Sequence, residues 1–148
     1  MQHLLKDSDL SKAQIEALLA LGKAVKADPK KYSQALAGKS VVTLFEKPSL
    51  RTRVTFDIGI AKLGGHSVYL DQQNGALGKR ESVKDFASNL SRWCDAIVAR
   101  VFDHQTLVEL AEFGSVPVVN SLCNLYHPCQ GLALSLIHIS EPTRRTPI

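Results

Sequence analysis

Apolar residues recur along this chain in two alternating rhythms. Ser11, with Gln14 three positions on, has the pattern of a capping box, and Ile15, Leu18, Leu19 and Val25 follow at helical spacing. That helix should stop before Asp28-Pro29, because the residue preceding a proline is driven out of helical geometry. Lys30 to Lys39 is a polar connector ending in Gly38. Ser40 to Phe45 then reads as a buried strand. After a turn at Lys47-Pro48-Ser49, the spacing predicts a helix from about Leu50 to Leu63, with Val54, Ile58 and Ala61 inward, capped by Gly64-Gly65.

His66 to Leu70 predicts a second strand, and Asp71 to Arg80 a long loop carrying two glycines. A helix from about Ser82 to Trp93 should bury Val83, Phe86, Ala87 and Leu90. Ala96 to Ala99 is a third strand with Arg100 at its edge, His104 to Phe113 a helix closed by Gly114, and Val116 to Asn120 a fourth short strand. Strands alternating with helices predict an α/β fold, a parallel sheet of about four strands with helices on both faces. In such sheets ligands bind beyond the carboxyl ends of the strands. Phe45, Arg100 and Asn120 each end a predicted strand, so the segments after them should converge on one crevice.

Composition narrows this picture without redirecting it. The chain has 148 residues, 45% apolar and 22% charged, an ordinary balance for one folded domain. No apolar stretch approaches the ~18 residues of a membrane span. Met1 to Asp7 lacks the basic flank and apolar run of a secretory signal, so a cytoplasmic location is expected. The net charge of +4 invites a nucleic-acid reading, but the cations form no stripe, aromatics are 6%, and no recognised motif is present; no nucleic-acid or membrane partner is expected. Cys94, Cys123 and Cys129 follow no disulfide pattern and read as reduced thiols. Cys123, His127 and Cys129 fit no zinc spacing, so no metal or cofactor is expected.

The chemistry sits where the first strand meets the second helix, at Phe45-Glu46-Lys47-Pro48-Ser49-Leu50-Arg51-Thr52-Arg53. A helix start exposes free N–H groups and the positive end of its dipole, with Ser49 at the N-cap position. Helices favour acids in the first turn, yet this one carries Arg51 and Arg53, each opposed by about 0.3–1 kcal/mol. A bound phosphate reverses that sign and engages amides, hydroxyls and guanidinium together. One such arginine would more often be structural; Ser-x-Arg-Thr-Arg directly after an apolar strand favours an anion site. Arg53 is the member of the group expected to be structural, paired with Glu81.

Three segments resemble one family. Ser49 to Arg53 is similar to the Ser-Thr-Arg-Thr-Arg phosphate loop of aspartate and ornithine carbamoyltransferases. His127-Pro128-Cys129-Gln130 resembles their His-Pro-x-Gln motif, and Asp95 to Arg100 resembles the strand whose terminal arginine meets carbamoyl phosphate. The motifs keep the family's order and together cover about Ser40 to Ala133. Phe45-Glu46-Lys47 and Cys129 look like the ornithine branch; the aspartate branch typically has Thr at the Cys129 position.

The resemblance implies transfer of a carbamoyl group from carbamoyl phosphate to the amine of ornithine, giving citrulline and phosphate in arginine biosynthesis; the alternatives are an aspartate carbamoyltransferase of pyrimidine biosynthesis and a non-catalytic homologue that binds carbamoyl phosphate. Ser49, Leu50 (through its backbone N–H), Arg51 and Thr52 would hold the phosphate. Arg100 would bridge phosphate and carbonyl oxygen, His127 would donate to that oxygen, and Gln130 would orient the carbamoyl amine. Arg51, Arg100, His127 and Gln130 are thus the implied catalytic residues, with Arg53 and Glu81 structural. The family pattern also implies a homotrimer with shared sites. Two departures stand out: Leu50 replaces a threonine, and Ala76, in the Gly75 to Ser82 loop, cannot make the polar contact that relatives send into a neighbour's site; Gln73, Lys79 or Arg80 would have to substitute.

From Leu134 the text changes character. Leu134 to Arg144 resembles the in-frame translation of a sequencing-library adapter. Residues 1–133 are therefore read as a carbamoyl-phosphate-binding domain incomplete at its C-terminal end, 134–148 as a foreign tail, and the ornithine-binding domain as absent. Removing Glu141, Arg144 and Arg145 with the tail lowers the charge of +4 by one, weakening the basic-partner reading further.

Overall fold

The computed structural model describes residues 2–71, 77 and 81–140. Ala76, Gln73, Lys79, Arg80 and the residues after 140 lie outside them. Helix α1 spans Lys12–Ala27, β1 Ser40–Phe45, α2 Leu50–Lys62, β2 His66–Asp71, α3 Val83–Leu90, β3 Ala96–Arg100, α4 His104–Phe113, β4 Val118–Leu122 and α5 Pro128–Ser140. The four strands form one sheet in the order β2-β1-β3-β4, every pair parallel. Alternate side chains of β1 feed opposite faces. Val42 and Leu44 join Phe86, Leu90, Leu107 and Leu110 of α3 and α4 in the larger core. Val41 joins Ile60 of α2 and Val98 on the other face, with Phe56 and Leu36 against them. Both faces are covered, as parallel sheets require.

The local signals act as the chain predicts at most boundaries. Ser11 accepts from the Gln14 N–H and Gln14 returns a bond to the Ser11 N–H, closing the capping box of α1. Gly64 stops α2 in the left-handed region, with φ 83°. Asp95 accepts from the Ser40 N–H at 2.8 Å and from Lys39 Nζ at 2.8 Å, tying the starts of β1 and β3 together.

Four features differ from the pattern reading. The inward face of α2 is Phe56 and Ile60, while Val54, Ile58 and Ala61 face outward. Both sets recur at helical spacing and both are apolar, so periodicity cannot choose between them. Helix α3 ends at Leu90 and leaves Trp93 exposed, because Arg92 and Trp93 turn back onto the carbonyls of Asn89 and Leu90. The fourth strand starts two residues late, since Pro117 has no N–H to give the ladder. Asn120 is therefore fully buried mid-strand instead of ending it. Finally, α5 runs into the segment read as foreign, as far as Ser140, and Leu136 comes within 3.8 Å of where a Cβ on Gly22 of α1 would sit.

The N-terminal segment also joins the sheet. Leu4 bridges Val119 in parallel: its N–H donates to the Val118 carbonyl at 2.9 Å, and its carbonyl accepts from the Asn120 N–H at 2.8 Å.

Candidate functional site

A cavity of about 480 Å³ opens at the carboxyl edge of β1, β3 and β4. Ser49, Arg51, Thr52, Arg100, His127 and Gln130 all line it. Of the binding residues implied by resemblance, Leu50 does not line it; its side chain is 79% exposed, which leaves its backbone as the part able to serve an anion. Thr55, Phe56, Leu122, Cys129 and Ala133 complete the walls.

The α2 wall follows from helix geometry. Ser49 occupies the N-cap position in extended backbone, but no side chain caps the helix. Its hydroxyl and the first-turn amides therefore remain available to an outside acceptor or donor. Thr52 and Phe56 are one turn apart, as are Arg51 and Thr55, so the helix face that enters the cavity carries guanidinium and hydroxyls above an aromatic floor.

Arg53 points away from the cavity. Its Nε lies 3.5 Å from Asp57 Oδ2 and its guanidinium stacks 3.6 Å over the Tyr69 ring. In place of Glu81, the partner expected from sequence, the structure pairs Arg53 with Asp57, an acid one turn along the same helix. Asp57 in turn accepts from Ser67 Oγ at 2.6 Å and from the buried Thr43 at 3.5 Å, so Arg53 belongs to a polar clamp that docks α2 on the sheet.

Arg100 is aimed by a register shift. Ala99 pairs with Asn120, but Arg100 pairs with Leu122, leaving Ser121 as the extra residue. Ser121 Oγ donates to the Ala99 carbonyl at 3.1 Å inside this bulge. Bulges commonly re-aim side chains beside sites, and here Arg100 and Leu122 both reach the cavity. One Arg100 terminal nitrogen donates to Thr52 Oγ1 at 3.4 Å, while its buried Nε has no partner among the described residues.

His127 precedes α5, whose Gln130 and Gly131 N–H groups donate to the His127 carbonyl. Its buried Nδ1 has no hydrogen-bond partner among the described residues. Burial, then the positive charge of Arg100, hold His127 below the ordinary imidazole pKa, and Asp7 pulls weakly the other way. Cys129 is pushed up to about 11, chiefly by burial, so its thiol stays protonated. Among the described residues no group of His, Cys, Asp and Glu is arranged to hold a metal ion, and no helix is long and apolar enough to cross a membrane.

The arrangement defines a class. A parallel α/β sheet presents a helix start, two cavity-facing arginines, hydroxyls, an imidazole and a carboxamide to one pocket at its carboxyl edge, a geometry suited to a small anion. A family model described as aspartate/ornithine carbamoyltransferase, carbamoyl-P binding domain, matches residues 2–141, and the chain belongs to that family. The ornithine carbamoyltransferase of Vibrio sp. (strain 2693) is 73% identical over 141 residues, covering 95% of this chain and 46% of that protein. Among solved structures, the anabolic ornithine carbamoyltransferase of Campylobacter jejuni superposes with a TM-score of 0.91 at 35% identity, over 99% of this chain and 48% of its own. The ornithine carbamoyltransferase of Pyrococcus furiosus gives 0.91 at 40% identity, over 96% and 46%. The chain spans about half the length of the curated relatives it matches.

The cavity residues that sequence reasoning missed are Thr55, Phe56, Leu122 and Ala133. Helical spacing from Arg51 and Thr52 points to the first two. The bulge that turns Leu122 inward leaves no sequence signal.

Proposed function

We propose that this chain supplies the carbamoyl-phosphate site of an ornithine carbamoyltransferase, with Ser49, Arg51, Thr52 and the Leu50 amide on the phosphate. The observation that carries the proposal is the single cavity facing Ser49, Arg51 and Thr52 on one side and Arg100, His127 and Gln130 on the other. Arg100, already within reach of Thr52, bridges phosphate and carbonyl oxygen. His127 donates to the carbonyl oxygen and Gln130 orients the carbamoyl amine. As ornithine's amine attacks the carbonyl carbon, negative charge grows on that oxygen, and fixed donors there lower the barrier. The arginines stabilise the departing phosphate, and holding the two reactants in line contributes much of the remainder.

The naming of the relatives supports ornithine as acceptor. Ornithine binding belongs to a second domain outside this chain, so residues 1–133 bind one substrate and the chain alone does not turn over. A cytoplasmic homotrimer serving arginine biosynthesis is the corresponding assignment for the complete enzyme. Residues 134–148 are proposed to be foreign to the gene, although the family match runs to residue 141. A verified longer read that still encoded Leu134 to Ile148 would refute this.

Calorimetric titration with carbamoyl phosphate tests the site. Arg51 is exposed and has no partner among the described residues, so Arg51→Ala should leave the melting temperature nearly unchanged. It removes charge-assisted bonds worth about 1.5–3 kcal/mol, lowering affinity about ten- to hundredfold. Unchanged affinity would refute the assignment.

A further inference from the structure

We infer that Asn120 and Cys123 form a clasp on the backbone of Tyr126 that sets the position of His127, making both of them positioning residues for the carbamoyl end of the ligand. The inference rests on the role assigned to His127 above.

Among the described residues the buried His127 Nδ1 makes no hydrogen bond. The hydrogen bonds that place this residue therefore run through its backbone. On one side, the Gln130 and Gly131 N–H groups anchor the His127 carbonyl. On the other, the Cys123 N–H donates to the Tyr126 carbonyl at 3.1 Å, and the Tyr126 N–H donates to Cys123 Sγ at 3.3 Å. Fully buried Asn120 closes the turn, its Nδ2 lying 3.4 Å from both the Tyr126 carbonyl and Cys123 Sγ. The same nitrogen donates to the Leu5 carbonyl at 2.7 Å, so the clasp is bolted to the N-terminal segment. His104 Nδ1 lies 3.5 Å from Cys123 Sγ, and the His104 ring packs edge-on against Tyr126. Neither Asn120 nor Cys123 lines the cavity, so they act on the ligand only through His127.

The test uses selectivity between two ligands on the full 148-residue chain. His127 addresses the carbamoyl group, which inorganic phosphate lacks. His127→Ala should therefore reduce the preference for carbamoyl phosphate over inorganic phosphate about tenfold, the equivalent of one hydrogen bond. Cys123→Ala strips the acceptor from the Tyr126 N–H and should reproduce that loss of preference while phosphate affinity stays constant. Cys123→Ser, whose hydroxyl can accept the same N–H, should recover most of it. The double variant Cys123→Ala/His127→Ala should be no worse than His127→Ala alone, since both act through one ring. Asn120→Ala should follow the same pattern if it folds; the cysteine series decides the matter if it does not.

An unchanged preference in Cys123→Ala, an equal loss for both ligands, or additive losses in the double variant would overturn the clasp. Failure of the wild-type chain to prefer carbamoyl phosphate, or of His127→Ala to alter that preference, would instead overturn the functional reading beneath it.

Discussion

At the scale of single side chains, the site is built against ordinary preference. Arg51 stands in a first helical turn, and among the described residues the buried Arg100 Nε and His127 Nδ1 have no partner. His127 should titrate below about 6.5, the usual histidine value, in the unliganded chain, and bound carbamoyl phosphate should move its midpoint upward, because a nearby anion favours the imidazolium. Histidine proton resonances followed against pH check both directions. The same depression makes His127 a stability term that is fully present above the unfolded-state pKa and lost as pH falls through the lower folded value. His127→Gln should flatten that acid limb in urea titrations at stepped pH. Cys129, pushed up to about 11, should react with iodoacetamide at neutral pH far more slowly than a free cysteine. Those residues were legible in the sequence because hydroxyls, arginines and a His-Pro-x-Gln run at a strand's end are chemically marked. Leu122 and Ala133 were not, since apolar wall residues look the same as core.

At the scale of elements, α2 decides how the site is presented. Two apolar rows run along it, and the row on the opposite side from the expected one packs on the sheet. Ile60→Ala should cost about 2–4 kcal/mol, as for a buried isoleucine. Ile58→Ala, at a half-exposed position, should cost under about 1 kcal/mol in the same urea unfolding experiment. Equal losses would mean that the helix is rotated from its described seat. Gly64→Ala meets a double penalty: positive φ, and a Cβ 2.7 Å from the Ser33 carbonyl oxygen. A loss of about 1–3 kcal/mol is expected by the same measurement. Strand and helix existence was readable because β-branched runs and capping residues act locally. The face of α2 and the bulge at Ser121 were not, because each is settled by partners distant in sequence.

At the scale of the molecule, the alternation of strands and helices carried the parallel sheet and its covered faces directly, since no other packing buries both sides of such strands. Strand order and the gathering of α2, β3 and the His127 turn at one edge follow from that topology. Given carbamoyl phosphate and ornithine, the chain should bind the first and form no citrulline; measurable citrulline would show that the acceptor site lies within these residues. The pairing of Leu4 with Val118 and Asn120 carries a consequence for biogenesis. A ribosome delivers the amino end first, yet that end has no strand to lie against until β4 has emerged. Folding at the outer edge of the sheet must therefore wait for most of the domain to be synthesised. A bulky fusion placed ahead of His3 would burden the same seam that steadies the turn before His127.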